Sequence, residues 1–584
     1  MKRRSFIKKS SILGASGLLA PLVTHSSTVV SNKLSGGQIR PDIEKIEILY
    51  NGIRLPKVWP PQNMSPDSYE PMPVPYLHNP PDVIPIDIGR QLFVDDFLIE
   101  NTTLKRAYHK ALKYDNNPVL KPETALEKGD EGLPVACPKD GGIWWDPAER
   151  VFKMWYEAAW IGSMAYATSV DGIHWERPNI RPGSNQLFPK PRPDSTTVFL
   201  DHDSRDPGER FKMFLRGPNW ARDSHGFSFV SPDGIHWGEP FRTGHCGDRS
   251  TMFYNPFRRK WIYSIRSGGP LRTGVGRARY YREHSDFIRG AGWRNDNIVF
   301  WTGADRLDPP DPVIGEKAQL YNLSAVGYES IMLGLHQIHL GPPNNECQKV
   351  GMPKITELML SYSRDGFHWH RPDREAFIPA TRRVGDWERG YVQSVGGICH
   401  IVGDQLWFYY TGFKGDPTNL HSDQMKSGMY ANGSTGLAVL RRDGFISLSA
   451  TGNGGTLLTR LVSFNGKYLF VNIDCPQGEL RAEVLNENNS VIAPFSAENC
   501  IPISSDSTLK QVSWKGSGDL SALAGTRVRF RFYLKNGDLY SFWVSPDDSG
   551  ASYGYVGAGG PGYTGWVDNV GNKAYDKASE YRIP

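Results

Sequence analysis

The heptapeptide SVDGIHW at 169–175 returns as SPDGIHW at 231–237 and again as SRDGFHW at 363–369. Asp followed by Gly is a turn signal, because the Asp carboxylate caps the backbone just ahead of it and Gly accepts positive φ. A degenerate copy, SDFI at 285–288 ahead of Trp293, fills the long gap, and RRDGF at 441–445 ends the series. Five marks spaced by about 50 to 80 residues indicate one supersecondary unit used five times. Each unit has an apolar strand, then a strand rich in aromatics (FKMWYEA from 152, FKMFLRG from 211, KWIYSIR from 260, LWFYYTG from 406), then a strand ending in the turn. The Trp after the turn can fold back and hold one sheet against the next. Small sheets repeated radially make an all-β, five-bladed β-propeller, expected over 91–450.

Outward from the repeats, four other regions stand apart. Residues 455–546 alternate apolar and polar residues without the turn mark, as antiparallel strands of a β-sandwich do. Residues 29–90 are Pro-rich and read as a linker laid over a surface. Residues 547–584 are rich in Gly and aromatics and are expected to pack back onto the domains or lie loosely. Residues 1–28 combine a basic start with a short apolar segment, SSILGASGLLAPLV, which describes an export signal too short to span a bilayer. Arg3 and Arg4 with Phe6 resemble a twin-arginine address, used for proteins exported already folded, with an ordinary secretory signal as the alternative. The mature chain is therefore expected in the periplasm or secreted, with no membrane partner.

Composition excludes several classes. Among 584 residues, 61 Gly and 43 Pro are too many for a helical bundle, while 39% hydrophobic and 12% aromatic residues exclude a disordered chain. The net charge of +5 is a small excess of 67 basic over 62 acidic residues, and no run of five or more Lys and Arg follows the N-terminus. Nucleic acid is thus not an expected partner. The six cysteines form no CxxC pair, so zinc spacing is absent. Cys475 and Cys500 are near enough in sequence to leave a bridge open.

In a propeller the first strands of all blades line one channel and their ends meet in one mouth. The first strands of three consecutive units begin with Asp140, Asp194 and Asp248 and end with Asp146, Asp201 and Asn255. Converging carboxylates push their pKa values apart, so one can stay protonated as an acid while another serves as base or nucleophile. Glycoside hydrolysis needs that division, at separations of roughly 5 to 9.5 Å. Units four and five break the pattern and offer Tyr321 as a substrate contact or base and Glu388 as a proton donor. His336 and His339 are expected to share one facing and to line the channel together. Arg249, Arg266, Arg279 and Arg282 could fork onto a carboxylate or sulfate. Trp144, Trp145, Trp160, Trp220 and Trp387 are the tryptophans free to stack on sugar faces, Trp144 foremost.

The phrases SxDGxHW, FVDDFLIE (93–100), MWYEA (154–158) and RRDGFISL (441–448) resemble the five-bladed propeller glycosidases, the group of fructan, arabinan and xylan hydrolases. More closely, the chain is similar to exported bacterial glycosyl-hydrolase-like proteins with a C-terminal β-sandwich. The resemblance implies three catalytic carboxylates on successive blades, matched here by Asp140, Asp194 and Asp248. It departs in lacking the WMNDPNG box and in having Asp at 248 where Glu is usual, which leaves Glu388 as a possible acid; RDP at 205–207 and EC at 346–347 are read as coincidences. The expectation is an exported glycosidase acting on oligosaccharides of a plant or algal polysaccharide, neutral or anionic. The alternatives are a lyase or dehydratase on uronic-acid sugars, using Arg, His and Tyr, and a non-catalytic carbohydrate-binding propeller. No cofactor is expected, although relatives with a channel calcium leave that ion open.

Overall fold

The computed structural model describes residues 46–584 apart from 189–191, 218–223, 269–270, 579–580, 582 and 584. The expected export signal and Trp220 lie outside the described residues. Five antiparallel sheets of the repeat region stand around one channel. Their inner strands are Ala136–Asp146, Ser195–Leu200, Thr251–Asn255, Gln319–Glu329 and Gly390–Ser394, the last continued by His400–Val402. Blades 1 to 3 each add three strands outward in chain order. Blade 5 takes its outermost strand, Leu112–Lys113, from the segment that precedes blade 1, so the ring is closed by pairing the two ends of the propeller.

The repeated turns work as clamps between blades. In each of the three full copies the Ser hydroxyl accepts from the Gly amide, and the Asp carboxylate accepts from the next two amides and bonds the His ring. Gly172, Gly234 and Gly366 all have φ near +80°, a region that costs an L side chain but not Gly. The preceding blade then bonds the exposed carbonyls: Trp155 Nε1 donates to Gly234 O at 2.7 Å, Trp301 Nε1 to Phe367 O at 2.8 Å and Tyr409 Oη to Gly172 O at 2.6 Å. The degenerate copy differs, since Asp286 caps the short helix Phe287–Ala291.

The sandwich is larger than its sequence suggested. Its two sheets combine strands of 446–545 with Gln91–Leu92, Ile99–Thr102 and Lys105–Tyr108, which pair with Gly537–Ser545, Gly455–Thr459 and Ile446–Ala450. The propeller is therefore an insertion in the sandwich. Its N-terminal boundary falls near 112 rather than 91, because residues 91–108 find their hydrogen bonds in the other domain. All six cysteines are buried and unpaired, Cys475 and Cys500 included. No described helix is long and apolar enough to cross a membrane.

The C-terminal tail seals the channel. Inner strands run from the Asp140, Asp194 and Asp248 end to the Asp146, Asp201 and Asn255 end, and the tail covers the second. Tyr555–Val556 pairs with blade 4, Ala558 O accepts from Trp145 of blade 1, and Ala558 N and Gly559 O bond Cys399 and Ile401 of blade 5. Trp566 stacks on Tyr254 of blade 3 and lies against His202 of blade 2. Glycine is needed where backbone meets backbone: a Cβ on Gly560 would sit 1.8 Å from Ile401 O. Gly560→Val is accordingly expected to lower stability by about 1–3 kcal/mol, read as a drop in thermal midpoint. Gly565→Ala in the same tail, with open space around it, should leave the midpoint where it is.

A buried ionic node ties tail, sandwich and propeller together. Arg90 bonds Asp443 at 3.0 Å, and Arg442 bonds Glu329 at 2.9 Å and Asp568 at 3.1 Å, with every partner fully buried. Tyr328, Ser541 and Asn472 also donate to Asp443, Ser552 donates to Glu329, and Arg442 donates to Tyr563 Oη.

Candidate active site at the propeller mouth

At the open end of the channel the chain turns sharply from one blade to the next. Lys139, Asp140, Arg249 and Tyr391 all have φ between +48° and +77°, and such non-Gly residues cost about 1–3 kcal/mol each, which tight surroundings must hold in place. The strained turns aim charged groups at the axis that regular strands would turn sideways.

Asp140, Asp194 and Asp248 do gather there, in three different states. Asp140 is fully buried: one oxygen bonds Arg249 at 2.5 Å, and the other accepts from Asn322 at 2.7 Å and Ser394 at 3.3 Å. It fixes blades 1, 3, 4 and 5 to each other at the channel floor. Asp194 is 4% exposed, and its Oδ2 has no hydrogen-bond partner. Burial lifts its carboxyl to about 7, with Asp248 and Glu157 adding to the rise and Lys139 and Arg249 opposing it. Asp248 faces the same burial, yet Arg266, Lys354, Arg277 and Arg249 outweigh it and hold this carboxyl below its ordinary value. Arg266 bonds it directly. The mouth therefore offers one carboxylic acid and one carboxylate on adjacent blades.

Around them stands a ring of groups that sequence reasoning mostly missed. Lys139 Nζ bonds Glu157 at 2.6 Å and lies 3.7 Å from the centre of the Trp160 ring, which stacks on Tyr430 at 4.0 Å. A cleft of about 490 Å³ reaches Trp160 from outside, between Lys128, Glu131 and Arg192. Tyr321 Oη lies 3.0 Å from Tyr391 Oη and accepts from Lys354 Nζ at 3.2 Å. Arg277 lies 5.4 Å from the Tyr321 ring. Tyr391 follows Glu388 by three residues and Lys139 precedes Asp140, so proximity in the chain to a candidate residue was the signal for both. Lys354 opens an apolar strand, Ile355–Ser363, and nothing local marks it as a site residue.

Other predicted residues have different places. His336 and His339 are three apart, so in a strand they face opposite sides. His336 is buried between sheets, bonded to Ser361 at 2.9 Å and edge-on to Trp369, while His339 alone reaches the mouth, stacked on Tyr321 with both ring nitrogens unpartnered. Glu388 bonds Lys113 at 2.7 Å and accepts from Tyr410 at 2.9 Å, and Asp386 is its other charged neighbour. Burial raises its carboxyl, but it belongs to the seam of blade 5 rather than to the mouth. Arg279 braces the backbone, donating to the carbonyls of Arg249, Ser264 and Tyr321. Arg282 donates to Asn297 O on the outer part of blade 3. Trp144 donates to Val198 O at 2.8 Å and packs on Phe199, which keeps it from any sugar. Arg249 does face the mouth, with Nη1 and Nε unpartnered. Among the described residues no group of three or more His, Cys, Asp or Glu is arranged to hold a metal ion.

No protein-family model matches the chain, and no curated protein matches it. Among solved structures it is similar to an N-acetylgalactosamine deacetylase from F. plautii, at 15% identity and TM-score 0.36 over 59% of this chain and 95% of that one. It is also similar to an exo-β-1,3-galactanase from Phanerochaete chrysosporium, at 10% identity and TM-score 0.31 over 75% and 99%. A fructofuranosidase from Schwanniomyces occidentalis matches at 11% identity and TM-score 0.32 over 72% and 98%. The five-bladed architecture itself rests on the sheet topology.

Proposed function

We propose that this chain is an exported carbohydrate-active enzyme that hydrolyses glycosidic bonds at the propeller mouth. The observation that carries the reading is the pair Asp194 and Asp248, neighbours on adjacent blades whose surroundings push their protonation in opposite directions. Asp194, neutral up to about pH 7, gives its proton to the leaving oxygen. Asp248, kept ionised by Arg266, faces the positive charge that develops on the sugar ring. Trp160, packed between Tyr430 and Lys139, leaves its ring edge for contact with a sugar in the cleft that reaches it.

A second reading has its own support. Lys354 and Arg277 stand at the mouth with no carboxylate in direct contact among the described residues, which suits the anionic group of a uronic or sulfated sugar. Elimination on a uronic acid would use the same acid and create a conjugated double bond. Purified protein should be assayed on neutral, uronic and sulfated oligosaccharides for both new reducing ends and ultraviolet absorbance. Reducing ends without absorbance are expected. Absorbance rising with product would transfer the site to the lyase class, and neither signal on any sugar, with binding retained, would leave a lectin.

A further inference from the structure

Hydrolysis with Asp194 as acid leaves one role unfilled, that of the group taking a proton from the attacking water. Asp248 is poorly suited to it, since a carboxylate bonded to Arg266 and surrounded by cations is a weak base. We propose that Tyr321 is the catalytic base of the mouth, acting as a phenolate, with Lys354 as the residue that positions and holds it. This rests on the hydrolytic reading of the site.

Lys354 is 2% exposed, and among the described residues no carboxylate touches its ammonium, which donates to Tyr321 Oη. A buried ammonium with no anion in direct contact is costly, and ionising Tyr321 places one at hydrogen-bond distance, beside the charge of Asp248 farther off. Tyr391 Oη, 3.0 Å away, is placed to donate a second hydrogen bond to the same oxygen once Tyr321 is ionised. Two donors thus converge on one phenol, and each favours its charged form. All the charged and titratable groups around it bear on the outcome. Burial and Asp248 oppose ionisation, while Lys354, Arg277 and Arg249 outweigh them and bring Tyr321 below its usual range. Burial and Tyr321 itself drive Tyr391 the other way, well above that range, so Tyr391 stays a donor. His339, stacked on the Tyr321 ring, is held neutral by burial and by Arg277 and Lys354.

The step balances. Tyr321 oxygen takes a proton from water, the water oxygen bonds the anomeric carbon, the glycosidic carbon–oxygen bond breaks, and Asp194 protonates the departing oxygen. Tyr321 ends protonated and Asp194 ionised, and exchange with solvent restores both.

The test needs no known substrate. Phenolate absorbance is followed against pH for wild type, Tyr321→Phe, Lys354→Met and Lys354→Arg, each checked for folding by near-ultraviolet circular dichroism. One tyrosine ionising below the ordinary value of about 10 is expected in wild type. It should vanish in Tyr321→Phe, move upward in Lys354→Met and remain low in Lys354→Arg. Tyr321→Phe should also cut kcat on the glycan found above by about 10²–10⁴-fold with little change in KM. An unchanged low-pH step in folded Tyr321→Phe or Lys354→Met, or full activity in Tyr321→Phe, overturns the assignment. Full activity in Asp194→Asn would instead overturn the hydrolytic reading while leaving the titration standing.

Discussion

Asp194→Asn is expected to lower kcat by about 10²–10⁴-fold, the usual loss on removing a general acid, while the protein gains stability at neutral and alkaline pH. Both effects have one cause. Burial and neighbouring Asp248 raise the Asp194 carboxyl to about 7, against about 3.9 for an unfolded Asp. Between those values the folded chain holds a proton that the unfolded chain has released, so stability falls as pH rises through that window and the whole cost is present above it. Asn carries no charge and escapes it. The thermal midpoint of Asp194→Asn should therefore exceed wild type at pH 8, with the difference shrinking toward pH 4. Wild-type activity should fall as pH rises through about 7, where the acid is lost. A midpoint difference that grows on acidification would show that Asp194 is not buried as an acid, and an active Asp194→Asn would remove it from catalysis.

Glu329→Ala is expected to destabilise the folded chain by about 3–5 kcal/mol, because it leaves Arg90 and Arg442 buried with one anion fewer. The same change loosens the tail, since Arg442 also holds Asp568 and Tyr563. Limited proteolysis should then cut within 547–578 before the blades are attacked, and denaturant unfolding should show the loss in midpoint. Asp296→Ala, which breaks an ion pair exposed on both sides with Arg294, should change neither measurement. Glu329→Ala behaving like Asp296→Ala would mean that the node is solvated and the tail is held by its backbone contacts alone.

The two results probe what lies at opposite ends of one channel. At the mouth, strained turns hold charges in costly surroundings so that one carboxyl keeps a proton and one phenol can lose it. At the other end the tail and the node pack across the blades. Stability spent at the first end is supplied at the second, which is a common arrangement for active sites.

How much of this could be read from the chain depends on how far apart the interacting residues are. The turns at 169, 231 and 363 were legible because Ser, Asp and Gly act on backbone within three residues, and the repeat of a local device gave the blade number. The position of Asp140, Asp194 and Asp248 at one mouth followed from the repeat as well. Their roles did not. Asp140 became a brace because Arg249, Asn322 and Ser394 reach it from three other blades, and Asp194 became the proposed acid because nothing among the described residues bonds its Oδ2. Lys354 meets Tyr321 across a loop and a change of strand. Glu388, three residues before Tyr391 in sequence, lies elsewhere because Lys113 of the closing strand claims it. The pairing of residues 91–108 with the distant sandwich was equally invisible, since short strands carry no mark of their partner. Sequence by itself determined the repeat, the blades and the carboxylates' address, all set by local turn chemistry and period. The protonation states, the sealed channel and the Lys354 and Tyr321 pair were decided only by tertiary structure, because burial and charge act between residues that the chain brings together from far apart.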